Sequence, residues 1–301
     1  MDTPAELGDF LRTRRAALRP EDVGVVSYGR TRRVPGLRRE ELAMLAGVSV
    51  AYYTRLEQGQ SANASDEVLD AIARALRLSP DEHTHLRNLA RPGRAARRAA
   101  ERPATAGPGV RQLVAAMDAV PAIVIDHRFD VLAWNPLAHA LLAGHLDADA
   151  PGRVEDRPNT QRLFFLDPHA AELYPDWEKE ARRAVSSLRM SAGEHPEDRR
   201  LAELIGELTM KSPRFAALWA RHPVRACTSG VKAFHHPVVG PLELSFEMMR
   251  LPGTGGQGLL AFSAAPGSGS EAALRLLSAA GAPVARRAGG AHAAIGTRET
   301  P

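Results

Sequence analysis

The chain has 301 residues, 44% of them hydrophobic and 25% charged, enough to bury two ordinary domain cores and too apolar to be disordered throughout. No run approaches the roughly 18 apolar residues of a membrane-spanning helix, the opening residues lack a secretory signal pattern, and the single cysteine, Cys227, excludes a disulfide framework or a cysteine-rich zinc site. The formal charge of +4 divides as +4 over 1–103, −2 over 104–280 and +2 over 281–301, so a cytoplasmic protein with an anionic partner at its front end is expected.

Leu7, Phe10, Leu11 and Leu18 recur at helical spacing and predict a first helix over 4–18, closed by Pro20. A long connection, 19–37, carries Gly24, Gly29, Pro35 and Gly36 as breakers and Arg30, Arg32 and Arg33 as a basic knot. It reads equally as an arm toward a polyanion and as a surface loop. Next comes the short helix EELAMLA, with Leu42 and Leu45 inward, stopped at Gly47; a second, VAYYTRLEQ, is capped by Ser49 and ends at Gly59. Helices near 66–77 and 80–90 complete a set of five. The last opens on Ser79-Pro80-Asp81-Glu82, a capping box with proline at the first helical position. A Pro-, Gly- and Arg-rich stretch then reads as a linker over 93–109, leaving 1–92 as an all-α first domain.

The second domain, 110–280, opens with two short β-branched runs around Asp126-His127-Arg128-Phe129-Asp130, a hairpin. Helical stretches follow at 136–143, 160–190, 197–210 and 213–221. Strand patterns return at 224–234, 241–251 and 257–264, where Leu242, Leu244, Phe246 and Met248 alternate with more polar neighbours. A helix over 270–280 ends the folded part, and 281–301 reads as a disordered tail. Strand pair, helices, then antiparallel strands is the layout of an α+β, PAS-like sheet with helices over one face. The chain is therefore multi-domain.

The strongest motif runs from Glu40 to Gly59. A DNA-reading helix-turn-helix needs a short turn between steeply set helices, and Gly47, with small Ala43 and the plug Val48, provides one. Ser49 caps the second helix so that Val50, Ala51 and Tyr52 face a major groove, with Arg55 one turn on and Tyr53 and Leu56 inward. Tyr52 and Arg55 are the expected base contacts; Arg14, Arg15, Arg32, Arg33, Arg38 and Arg39 are phosphate candidates. Residues 38–59 resemble the Cro-type (XRE) helix-turn-helix family, and that resemblance implies that Glu57 pairs with a basic residue of the bundle. An αα-hairpin inside a plain bundle is the competing structural reading.

Over Leu7 to Leu277 the sequence is similar to the MmyB-like transcription regulators. The resembling segments include Val34-Pro35-Gly36-Leu37-Arg38-Arg39-Glu40-Glu41, Tyr52-Tyr53-Thr54-Arg55-Leu56-Glu57-Gln58-Gly59, Leu132-Ala133-Trp134-Asn135, Asp176-Trp177-Glu178, Leu218-Trp219-Ala220-Arg221-His222 and His236-Pro237-Val238-Val239-Gly240. The resemblance implies a regulator that binds double-stranded DNA through its front domain and an apolar, fatty-acid-like effector through its PAS-like domain. An apolar chain would lie against Trp134, Phe165, Trp177, Leu188, Phe215, Trp219, Phe234, Leu244 and Phe246, with Arg225, Lys232 or His235 taking its carboxylate. A homodimer is expected from the symmetry that such motifs exploit. No catalytic constellation, cofactor motif or metal-ligand spacing is evident; His222, His235 and His236 lack a third partner, and adjacent strand histidines face opposite ways. The alternative is a DNA-binding protein whose second domain, with a solid core, serves only dimerisation or protein interaction.

Overall fold

A computed structural model describes residues 3–25, 36–60, 64–90, 104–225 and 228–281. Arg30, Arg32, Arg33, Cys227, most of the 93–109 linker and the tail beyond 281 lie outside the described residues.

The front bundle consists of α1 (Thr3–Ala17), a 3₁₀ turn (Pro20–Val23), α2 (Arg39–Ala46), α3 (Val50–Glu57), α4 (Asp66–Ala75) and α5 (Pro80–Ala90). Apolar stripes at helical spacing converge on one core containing Phe10, Leu11, Leu37, Leu42, Tyr53, Leu56, Ile72 and Leu86. Local caps fix the helix starts. The Ser65 hydroxyl accepts from the Val68 N–H, and Ser79 and Glu82 exchange reciprocal bonds across the α5 start as the sequence predicts. One expectation fails: Leu45 is 37% exposed, because the inward stripe of α2 is Leu42, Ala43 and Ala46. Those three lie one and four residues apart, and Leu45 falls off that face.

The second unit begins earlier than its first strand. Residues 104–107 are neither helix nor strand, and the Thr105 carbonyl accepts from the Gln257 amide. α6 (Pro108–Ala115) follows, starting inside the stretch read as linker. Gly107-Pro108 reads as a breaker pair, yet proline at the first helical position is also a helix start. β1 (Ala122–Ile125), β2 (Val131–Trp134) and α7 (Pro136–Ala143) come next. The single helical stretch expected over 160–190 is three helices: α8 (Thr160–Leu166), α9 (Pro168–Leu173) and α10 (Trp177–Glu194). Pro168 and Pro175 divide it, since the residue before a proline is pushed out of the helical region. α11 (Arg199–Lys211), α12 (Pro213–Trp219), β3 (Ser229–His236), β4 (Gly240–Arg250), β5 (Gly258–Ser263) and α13 (Gly269–Gly281) complete the chain.

The five strands form one antiparallel sheet in the order β2-β1-β5-β4-β3. Its register sets Ile123 opposite Leu260, Phe246 opposite Phe262 and Phe234 opposite Leu242, so these residues share one face. Leu137, Leu141, Leu173 and Leu274 pack with that face. The reverse face at β1 and β5 carries Ala122, Val124 and Leu259, which cluster with Val114 of α6. A separate helical core joins α10, α11 and α12 through Val185, Leu188, Leu204, Leu208 and Phe215.

Candidate functional site

Two arrangements carry chemistry. The first is the α2–α3 corner. Gly47 takes φ 66°, its N–H bonding Met44 O while the Val48 N–H reaches back to Ala43 O at 3.0 Å. That paired closure needs a left-handed residue and turns the chain sharply. The Ser49 hydroxyl then accepts from the Tyr52 N–H at 3.1 Å, fixing the first turn of α3. Val50 is 47% exposed and Ala51 and Arg55 are exposed, with Tyr52 half-buried between them and Tyr53 and Leu56 in the core. The outward and inward faces of α3 are thus as its sequence predicts.

The base of α3 is anchored by Glu57, whose side chain is 0% exposed. Its carboxylate meets Arg15 at 2.7 Å and Arg39 at 3.1 Å, with Arg12 at 3.8 Å. Several guanidiniums around one buried carboxylate tie α1, α2 and α3 together. Arg15 also donates to Leu37 O, while Arg14 bonds His222 O and Glu82, so both are structural where phosphate contacts were expected. Arg39 is half-committed to Glu57 in the same way. Arg38 remains 40% exposed in its side chain, 3.5 Å from Glu40; its backbone N–H is satisfied by Glu41 at 2.7 Å, which supplies the cap that arginine cannot.

The second arrangement is a narrow cavity between the sheet and α7–α10. One compartment, about 510 Å³ including its open mouth, is walled by Ile123, Val131, Trp134, Leu163, Phe164, Leu173 and Tyr174. Another, about 750 Å³, shares Ile123, Thr160, Phe164 and Tyr174 with it and runs on under α10 to Phe246, Met248, Leu260 and Phe262. A third shares Ile125, Phe129, Ser187 and Met248 with the second and ends at His127, His195 and Arg250. The three adjoin through these shared wall residues and are lined mostly by apolar side chains.

One wall is charged. The Glu180 side chain, 4% exposed, lies 2.6 Å from Arg183 and 2.7 Å from Lys232, and the Lys232 ammonium sits 5.3 Å from the Phe246 ring. Two cations against one carboxylate leave a positive excess facing the cavity, and burial beside Glu180 pushes the Tyr174 hydroxyl up, away from ionisation. Of the nine expected lining residues, Trp134 and Phe246 line these compartments. Phe165, Trp177, Leu188, Phe215 and Trp219 instead fill the α10–α12 core, stacking on one another, and Phe234 and Leu244 are packed with the sheet face. Their aromatic character signals packing, whereas Phe164 and Tyr174, which do line the cavity, sit on α8 and just past α9. Lys232 faces the cavity; His235 is exposed and His236 buried on Ala140 O, the opposite facing expected of neighbours on a strand.

α10 joins the cavity to the front bundle. Arg183, Ser187, Met190 and Glu194 line the cavity, while its other side docks on the front bundle. There Arg189, 1% exposed, lies flat on Trp219 at 3.8 Å, donates to Trp219 O and reaches Glu6 at 3.4 Å. Burial pulls the Arg189 guanidinium down to about 10, and burial, opposed by Arg189, raises Glu6. His85 of α5 is buried against Gly193, where even a Cβ would come within 2.6 Å of its ring. Burial first, then the cations Arg189 and Arg14, push the His85 imidazole down to about 3, and burial likewise takes His222 to about 4. Val224 and Met190 join the bundle's own core.

A helix-turn-helix domain model matches residues 6–86, which sets the front bundle in the class of DNA-binding modules. The model of the MmyB-like transcription regulator ligand binding domain matches residues 106–277, more than half of the chain, and the chain belongs to that family. It is a DNA-binding transcription regulator with a ligand-binding domain. No curated protein matches it. Among the described residues no helix is long and apolar enough to cross a membrane.

Proposed function

We propose that the protein is a sequence-specific regulator whose DNA affinity is set by an apolar, fatty-acid-like carboxylate held in the cavity. The observation that carries this reading is the pair of adjoining apolar compartments, the second with Lys232 and Arg183 on its wall, a place for a chain and for one anionic head. The antiparallel order β2-β1-β5-β4-β3 supports the PAS-like reading. A second domain that served only dimerisation would require a solid core, and the cavity counts against it.

On the DNA side, Arg55 and Tyr52 take base edges, Val50 and Ala51 make apolar contacts beside them, and Arg38 takes a phosphate. Ser49 orients the helix. In a homodimer two copies of α3 would read two half-sites. Effector binding would act through α10, which touches both the cavity and α5 and therefore biases where the bundle sits.

The test is to denature the purified full-length protein, identify co-extracted small molecules by mass spectrometry, and titrate the delipidated protein with long-chain fatty acids. Saturable one-to-one binding that Leu163→Trp abolishes is expected; absence of binding by any acyl chain would overturn the effector assignment. Separately, Arg55→Ala should cost about 1–3 kcal/mol on the upstream region of the protein's own gene. Unchanged affinity and sequence preference would refute its role.

A further inference from the structure

The histidines singled out in the sequence, His222, His235 and His236, are held apart in the fold, but three other residues meet. His145, just past α7, and His169, in α9, both turn a ring nitrogen onto Asp167. The His145 Nε2 and Asp167 Oδ2 are 2.7 Å apart, as are the His169 Nδ1 and Asp167 Oδ1. The two rings stack at 3.9 Å and 11°. One donor atom from each residue lies within 4.8 Å of the other two. All three side chains sit at the mouth of the first compartment.

We infer that His145, Asp167 and His169 form a site for a divalent transition-metal ion, zinc in the first instance. Two imidazoles and one carboxylate are the donor set of open zinc sites and of non-haem iron(II) sites. Bonds of about 2.0–2.1 Å place tetrahedral donors about 3.3 Å apart, slightly wider than the hydrogen bonds now joining them, so small side-chain rotations admit an ion. Asp167 is already fixed for the task. Its Oδ1 accepts the His169 backbone N–H at 2.9 Å as the cap of α9, while Oδ2 faces the His145 ring alone and would exchange that hydrogen bond for a metal. The His169 ring is 61% exposed, so an ion can reach it from solvent. Three protein ligands leave a coordination position for water, or for the carboxylate of a molecule in the cavity. That last role rests on the effector reading, whereas metal binding does not.

The experiment uses the full chain, stripped of metal with a chelator. Titration with zinc chloride by calorimetry, and with cobalt(II) by visible absorption, should give one tight site with a four- or five-coordinate cobalt spectrum. His169→Gln, at an exposed position, and His145→Gln should each weaken zinc at least as far as the roughly ten- to hundredfold lost when a second-shell partner is removed. Circular dichroism should show both variants folded. No tight zinc site in the wild type, or an affinity unchanged in the double variant, would overturn the assignment and reduce the cluster to a hydrogen-bonded cap of α9. Zinc binding with no fatty acid uptake would leave the metal site standing and sink the effector reading; the reverse would do the opposite.

Discussion

The front bundle and the second unit solve packing in opposite ways. In the bundle the inward helix faces close on one core, and Glu57, the one buried carboxylate among its described residues, is held by Arg15 and Arg39. The second unit packs two helical and sheet cores tightly but leaves a cavity between them, walled by residues from β1, β2, α8, α10, β4 and β5. A surface that reads DNA has to be rigid and is held from behind, whereas a responsive domain needs space that something else can fill.

The largest effect is expected at Glu57. Glu57→Ala leaves the largely covered Arg15 guanidinium without its anion and should destabilise the bundle by about 3 kcal/mol, measured by urea unfolding. A change inside the error of extrapolation would show that the clamp is dispensable. Next is the contact between the halves. Gly193→Ala drives a methyl into the His85 ring and should cost about 1–3 kcal/mol, while leaving fatty acid affinity intact and blunting its effect on DNA binding. Retained coupling would remove α10 from the route.

Acidity probes the same contact more gently. His85 and His222 are held neutral in the folded chain with values near 3 and 4, so the unfolded or undocked state binds more protons as pH falls below about 6.5. Docking is thus fully stabilised above about 6.5 and is lost progressively toward pH 3, with a slope of at most about 1.4 kcal/mol per pH unit for His85. A pH titration of unfolding with His85→Phe should flatten that slope. The smallest effect belongs to the reading helix: Ser49→Ala should cost about 1 kcal/mol and weaken DNA binding by fraying the first turn of α3.

The bundle was legible because its determinants are contiguous. Gly47, Ser49 and the stripe of α3 act on residues within five positions of themselves, and only Leu45 was misplaced. Arg14, Arg15 and Arg39 show where local reasoning stops, since their partners His222 and Glu57 lie 208, 42 and 18 residues away. The sheet was legible from alternation in β4, but the cavity was not. Its walls come from segments spread over more than a hundred residues, and hydrophobicity alone does not separate Phe164, which faces space, from Phe165, which faces Phe215. A different cue was available for α8–α10: Asn159, Asp167 and Asp176 each cap a helix start and announce three helices where periodicity suggests one.

Val224 lies just beyond the last helix before β3, yet its side chain completes the core around Phe10 and Leu86, with Met190 beside it. Anyone cutting the gene to graft this reading head onto another sensor would therefore carry away a bundle with a missing plug. A working chimera has to import a hydrophobic substitute at that spot, or bring the α10 surface along, and swaps between relatives will succeed or fail on that fit more than on the linker chosen.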